Sequence, residues 1–265
     1  LKLPWVWLYQ AQASFGQFPE ETANRLLTHY SQGGRKNFEA FFKVLQAHLQ
    51  HRHFAGIPAP IIYPTQGIYH PLANGEIFSS IDSFKNWRVR QGQSVSARGS
   101  VVAILIHQQY LSSEQTSWFD DLVQRIEARG AIAMPVYAAA TESVIPFLSR
   151  DGKSLVDLII NTQIMLAPEL RKIDFAGLGV PVLQATAYRR GDSKEWRADQ
   201  QGLALADVPF YLAQSEYTGI SDIMIIAAHD KSADQIVAIP EQSQALADKA
   251  LRMLALQQKP HAEKR

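Results

Sequence analysis

The sequence contains no cysteine. That excludes disulfides, thiolate metal sites and a cysteine nucleophile from this chain, and it suits a reducing compartment such as the cytoplasm. It has no excess of either charge: 26 Lys and Arg oppose 25 Asp and Glu, a formal net charge of +1 at pH 7. A general binder of nucleic acid or anionic membrane needs a basic excess, so neither partner is expected. No apolar run approaches the roughly 20 residues of a membrane span. The start, LKLPWVWLYQ, lacks the apolar core and cleavage site of a signal peptide. Also missing are a GxGxxG dinucleotide fingerprint, a phosphate-binding loop, a GxSxG elbow and an HExxH metal pair. The initiator Met is absent too, and Leu1 suggests a piece excised from a longer protein.

What is present is enough for a substantial core. The 265 residues, 46% of them hydrophobic, make one large domain or two ordinary ones. Residues 19–30 read as a helix opened by Pro19 and the acidic pair Glu20 and Glu21, which suit the first turn. A second helix is expected over 37–50, with Phe38, Phe41, Phe42, Leu45 and Leu49 on one apolar face. The two should pack across the Gly33-Gly34 turn. Three prolines in IPAPIIYPTQ (57–66) mark an extended connector, since each removes a backbone donor. After Trp87 the chain turns polar and Gly/Ser-rich, and a boundary is expected near Gly92–Ser100.

From Val101 the rhythm changes. Apolar runs of strand length at 101–107, 131–138, 155–162, 180–188 and 222–228 alternate with helical patterns at 113–130, 142–149, 167–178 and 193–201. Residues 206–213 fit helix or strand equally. Pro135 argues for an edge or strand-end position. The alternation predicts an α/β fold: a mainly parallel sheet with helices on both faces, of flavodoxin- or Rossmann-like build. The expected organisation is a helical and extended region at 1–98, the sheet domain at 99–238, and an amphipathic helix with linker at 239–265.

Open α/β sheets bind ligands at the carboxyl ends of their strands. The first such loop carries His107, Gln108 and Tyr110, which either face a ligand or satisfy a strand end. After the fourth strand, Arg189 and Arg190 can clamp a carboxylate. His229-Asp230 ends the fifth strand, as a general-base pair or as solvated polar residues. His48, His51 and His53 cluster at a helix end, where cations complement the dipole more readily than they gather a metal. No metal set and no catalytic residue is assigned.

Several segments together resemble the middle region of the large subunit of the cobaltochelatase/magnesium-chelatase family (CobN type). They are Gly33-Gly34 with Asn37, Gly67-Ile-Tyr-His-Pro71, Glu127-Ala-Arg-Gly130, Ile160-Asn-Thr162, Gly179-Val-Pro-Val-Leu-Gln184, and Trp196 with Gly202-Leu203 and Asp207. The tail from Pro260 resembles the seam before the family's next domain. The resemblance implies binding of a tetrapyrrole, a corrin precursor or a porphyrin, for ATP-dependent insertion of a divalent metal such as cobalt or magnesium. Separate AAA+ ATPase subunits would be the partners, and no cofactor would reside in this fragment. Tyr69 and His70 then have two readings: a lip contacting the macrocycle or its metal, or a seam where Pro71 fixes a turn and Phe78, Ile81, Phe84 and Trp87 pack a covering helix. Gln108-Gln109-Tyr110 and Ser215-Glu216-Tyr-Thr-Gly219 depart from the family's usual Arg-x-His and acidic patterns. These departures leave open a divergent paralogue that handles another tetrapyrrole or removes metal; a separate alternative is a non-catalytic assembly module docking the ATPase subunits or the downstream domain.

Overall fold

The computed structural model describes residues 3–8, 12–92, 99–139, 141–220 and 222–258. They fall into two compact units. One holds the residues up to Pro64 together with Gln109–Glu114; the other runs over Thr65–Gln108 and from Gln115 onward. Most of the boundary expected at 92–100 lies outside the described residues. The segment 65–90, expected in the N-terminal region, belongs instead with the sheet.

The first unit begins with an antiparallel ribbon of β1 (Trp5–Trp7) and β2 (Ser14–Gly16). Helices α1 (Glu20–Gln32) and α2 (Arg35–Leu49) follow and pack on each other. Gly34, at φ +81°, makes the turn between them. A Cβ there would lie 2.8 Å from the Tyr63 hydroxyl, so the position requires glycine. The buried face of α2 is Asn37, Ala40, Phe41, Val44 and Ala47. Phe38, Phe42 and Leu49, expected on that face, are exposed. The correction has a physical reason: the small residues let α1 approach closely, and the contact rotates the helix toward them.

The proline-rich connector is held by side chains. Arg25 donates to the carbonyls of Ile57 and Pro58, Gln32 accepts from the Tyr63 amide, and Asn37 bonds both the amide and the carbonyl of Ile61. Asn37 Oδ1 also lies 3.2 Å from Nδ1 of the fully buried His29, whose Nε2 has no partner. Burial, and the neighbouring Arg25, lower the His29 pKa below its usual 6.5, against the hydrogen bond to Asn37. A histidine depressed in the folded state binds its proton better when unfolded. Stability is therefore full above the unfolded value of 6.5 and is lost as pH falls toward the folded one. Urea unfolding at pH 7.5 and 5.5 should show a larger loss in the wild type than in His29→Gln; equal losses would contradict it.

The second unit is built on a seven-stranded sheet. In chain order its elements are β3 (Gly67–Ile68), α3 (Ile81–Arg90), β4 (Val101–Ile106), α4 (Gln108–Ser112, most of which clusters with the first unit), α5 (Ser117–Glu127) and β5 (Ile132–Tyr137). Next come α6 (Ile145–Leu148), the small hairpin β6 (Ser149–Arg150) and β7 (Lys153–Ser154), β8 (Leu158–Asn161), α7 (Pro168–Leu178) and β9 (Val182–Tyr188). The last are α8 (Ser193–Ala198), α9 (Gln214–Tyr217) after a π-turn at Pro209–Ala213, β10 (Ile223–Asp230), β11 (Gln235–Ala238) and α10 (Pro240–Gln258).

The sheet order is β11-β10-β9-β8-β4-β5-β3. The five expected apolar runs lie side by side in it, all parallel, and β3 and β11 close the edges antiparallel. In chain order the parallel strands read 2-1-3-4-5, the flavodoxin-like arrangement. Every residue of β4, β5 and β8 is buried, as expected for strands covered on both faces. Val101, Ala103 and Leu105 of β4 face a core with Phe84 and Trp87 of α3, Phe147 of α6 and Phe175 of α7. Helices α5 and α10 contact one another and cover the other face against β5, β10 and β11. Helix α5 buries Trp118, Phe119, Leu122, Val123 and Ile126 on one side.

Pro135 sits in a strand with neighbours on both sides, yet behaves as an edge residue. Its carbonyl accepts from the Tyr69 amide, so its missing N–H also faces the side of the two-residue β3. Gly67 permits that pairing, because a Cβ there would come 2.5 Å from Ile77.

Candidate functional site

The 2-1-3-4-5 order makes β4 and β8 neighbours whose connections leave in opposite directions. Ligands of such sheets bind in the crevice at the carboxyl ends of these switch-point strands. Here the switch point carries a buried polar cluster. Gln163, just past β8, donates from Nε2 to the carbonyls of Ile106 (2.9 Å) and Ala138 (3.1 Å), the ends of β4 and β5. Its Oε1 accepts from Arg171 Nη2 at 3.0 Å. Thr162 bonds the Leu105 carbonyl through both its amide and its hydroxyl. Asn161 reaches the Gln163 carbonyl and the Gln184 side chain of β9.

Arg171 of α7 is the hub. Nη1 donates to the Glu142 carbonyl (2.7 Å) and to Asp174 (3.0 Å), and Nη2 also approaches the Ala139 carbonyl. Asp174 accepts from the Ser143 hydroxyl and the Val144 amide at the start of α6. Arg171 and Asp174 side chains are each 2% exposed, so this is a buried ion pair. Together these bonds tie the loops after β4, β5 and β8 into one rigid rim. A charge taken out of water survives only with such complete partnering.

His107 follows β4 directly. Its Nε2 accepts from the Ile164 amide at 3.2 Å. Burial, with Arg171 adding repulsion, pushes its pKa below the usual histidine value. Gln108 is the next residue of the same sheet unit, whereas Tyr110 clusters with the first unit. Arg189 and Arg190 follow β9 on the same carboxyl edge, with different employment. Arg190 pairs with Asp199, which also accepts from the Tyr188 hydroxyl, and lies over the Tyr188 ring. Arg189 is 58% exposed and its nearest carboxylate, Asp207, is 3.9 Å away. His229 bonds Asp234 and Asp230 turns back onto Ser232, so this pair stabilises the turn between β10 and β11.

Tyr69 and His70 lie elsewhere, beside β5 and α5. The Tyr69 hydroxyl donates to Asp120 at 3.0 Å, and burial pushes its pKa up to about 12. His70 is fully buried against Phe84 and Trp87, accepts from the Leu72 amide at Nδ1, and presents Nε2–H to Glu127 at 3.3 Å. Arg88 pairs with the same carboxylate. Among the described residues no three His, Asp or Glu gather as a metal site, and His48 stacks on Phe18. A small hollow lined by Tyr211, Leu212, Ser215, Glu216, Ile220, Asp222 and Ile223 lies at the amino end of β10; it takes in Ser215 and Glu216 but none of the residues expected to contact a ligand.

Sequence reasoning missed Gln163, Arg171, Asp174 and Ser143. One signal was there: Asn161 and Gln184 interrupt otherwise apolar strands, and polar groups inside covered strands need partners.

The model of the CobN/Magnesium Chelatase family matches residues 27–265. A magnesium-chelatase subunit from Rhodobacter capsulatus is 25% identical over 264 residues, covering 88% of this chain and 21% of that protein. An uncharacterised protein of Methanocaldococcus jannaschii is 25% identical over 234 residues, 78% of this chain and 18% of its own length. The chain thus spans about a fifth of these curated relatives. The structure is similar to the catalytic subunit of cobaltochelatase from Mycobacterium tuberculosis, with a TM-score of 0.67 and 21% identity over 94% of this chain and 21% of that one. The chain belongs to the CobN/magnesium chelatase family.

Proposed function

We propose that this chain contributes a tetrapyrrole-contacting wall to a large chelatase subunit that inserts a divalent metal into a corrin precursor or porphyrin. The observation that carries the reading is the carboxyl edge: the strand order brings His107, Gln108 and Arg189 to one rim, beside a switch point held rigid by Gln163 and Arg171. A flat macrocycle needs an apolar slot and a few fixed polar groups for its peripheral oxygens. A pre-ordered rim lowers the entropy lost on binding. The metal is substrate here, not a resident cofactor. The sequence carries no phosphate-binding loop, so the reading assigns ATP hydrolysis to separate AAA+ subunits in the cytoplasm.

Absorbance titration with deuteroporphyrin IX, which bears two carboxylates, tests it. Saturable binding is expected. Arg189→Ala should weaken it about tenfold, the scale of one charge-assisted hydrogen bond. Arg190→Ala should weaken it less, because that guanidinium already serves Asp199. Absence of saturable binding, or Arg189→Ala binding as tightly as wild type, would count against the reading.

A further inference from the structure

We propose that the turn at 204–207 sets the specificity of the carboxyl rim. Leu205 covers an apolar face of the ligand, and Asp207 screens Arg189, so that a carboxylate without such a face is held poorly. The ligand class selected is a flat amphiphilic acid. The inference rests on the reading of the rim as the ligand site and adds which side chains there discriminate.

The segment Gly202-Leu-Ala-Leu-Ala-Asp-Val-Pro-Phe-Tyr-Leu-Ala213 carries a single charge, that of Asp207. The Asp207 amide donates to the Ala204 carbonyl at 2.8 Å, which closes a turn with Leu205 and Ala206 at its tip. Both feet of this loop stand on β9. On one side, Asp199 accepts from the Gln201 amide and from the Tyr188 hydroxyl. On the other, the Asp207 carbonyl accepts from the Tyr211 amide, and the buried Tyr211 hydrogen-bonds the Thr186 side chain through its hydroxyl.

One exposed leucine is ordinary on a protein surface. Leu205 differs in its setting. It is 87% exposed, more than any other large hydrophobic side chain among the described residues. Its loop is already tethered, and Asp207 of the same turn faces the exposed Arg189. Apolar surface and cation are thus offered together on a backbone that needs little ordering to bind. Phe210, three residues beyond Asp207 and 42% exposed, adds apolar surface to the same run.

Asp207 supplies the discrimination. At 3.9 Å its carboxylate is too far from Arg189 for a hydrogen bond, yet near enough to cancel part of the positive charge. A ligand carboxylate must overcome that attraction before it takes the guanidinium's donors. An exposed ion pair in water gains little by itself. The exchange therefore needs a second contact, and Leu205 provides it.

The test uses the full chain and two probes. Absorbance follows deuteroporphyrin IX; NMR shift titration follows glutarate, which has carboxylates and no ring. Glutarate should bind at least about a hundredfold more weakly, and equal affinities would overturn the proposal. Leu205→Ser should weaken porphyrin binding about five- to tenfold, the scale of burying half a leucine side chain, and leave glutarate unchanged. Its urea midpoint should match the wild type; a lowered midpoint would show Leu205 packed within the fold and overturn its role as a ligand contact. Asp207→Asn should strengthen glutarate binding about two- to fivefold, and no gain would overturn the screening.

Leu256→Ser controls for adsorption. That residue is half-exposed on α10, past the Lys249 that pairs with Asp222 at the amino end of β10. It should bind porphyrin like the wild type, and equal weakening in the two leucine variants overturns the proposal. Weakening by Arg189→Ala without weakening by Leu205→Ser refutes this inference and leaves the rim reading in place. Absence of saturable porphyrin binding in the wild type refutes both.

Discussion

Replacing Glu127 by alanine is expected to cost about 3–5 kcal/mol of folding stability, the penalty for leaving a buried charge without its partner. Arg88 is 6% exposed at its side chain and pairs with Glu127, while the fully buried His70 gives its Nε2–H to the same carboxylate. Burial would raise the Glu127 pKa, but the hydrogen bonds from His70 and Arg88, with the Arg88 charge, outweigh it and hold the carboxyl below its usual value. The stability it adds is therefore present above the unfolded value of 4.5 and disappears as pH falls through the lower folded one. Removing Glu127 also leaves His70 without its acceptor beside the rings of Phe84 and Trp87. Glu127→Gln keeps an acceptor and should lose less. The double variant Arg88→Met with Glu127→Leu should regain much of the loss, since two apolar side chains need no desolvation. Urea midpoints followed by tryptophan fluorescence measure all three. A loss below about 1 kcal/mol for Glu127→Ala would mean that the pair is screened like a surface bridge.

This triad also shows what the sequence could and could not disclose. Glu127 and His70 were both quotable as motif residues, yet neither pattern says that they meet. Their partnership spans 57 residues and depends on β3 reversing direction beside β5. Arg88 looked like the start of a polar linker, because a buried arginine has no local signature. The parallel strands were legible for the opposite reason. Each of the runs Val101–Ile106, Ile132–Tyr137 and Leu158–Ile160 is apolar throughout, and only burial on both faces explains that. The edge strands were not, since Gly67–Ile68 is too short to show a period and Gln235–Ala238 is only half-buried. Helix α2 was found but partly misfaced: Phe41 is buried as expected, yet Phe38 and Phe42 outweigh Ala40, Val44 and Ala47 on any hydrophobic scale, while close packing favours the smaller side chains. At the rim, the strand order gave the location of the candidate site. The supporting cluster escaped, because Arg171 and Gln163 act through main-chain carbonyls that carry no sequence.

The same physics sets the second large expectation, at Asp174. Asp174→Ala should destabilise the sheet unit by about 3–5 kcal/mol, because Arg171, 2% exposed at its side chain, would keep its charge without a counter-ion. The carboxylate is also an anchor for α6. One oxygen accepts from the Ser143 hydroxyl, and the other from the Val144 amide as well as from Arg171. Asp174→Asn is therefore no mild change. Its amide nitrogen cannot accept, so it must face either the Val144 N–H and the guanidinium or the Ser143 hydroxyl. In the first orientation donors oppose donors, and in the second the hydroxyl must turn to accept. We expect Asp174→Asn to lose more than Glu127→Gln, in which the amide can still present an oxygen to Arg88. Urea unfolding gives the ranking, and the reverse order would show that the Arg171 fork carries the rim without its carboxylate. Because Arg171 holds the carbonyls of Glu142 and Ala139, loosening it should also speed amide exchange in 141–144 ahead of the strands themselves. Faster exchange there, with β4 and β8 still protected, would mark Asp174 as the residue that keeps the rim preformed rather than one that merely keeps the sheet folded.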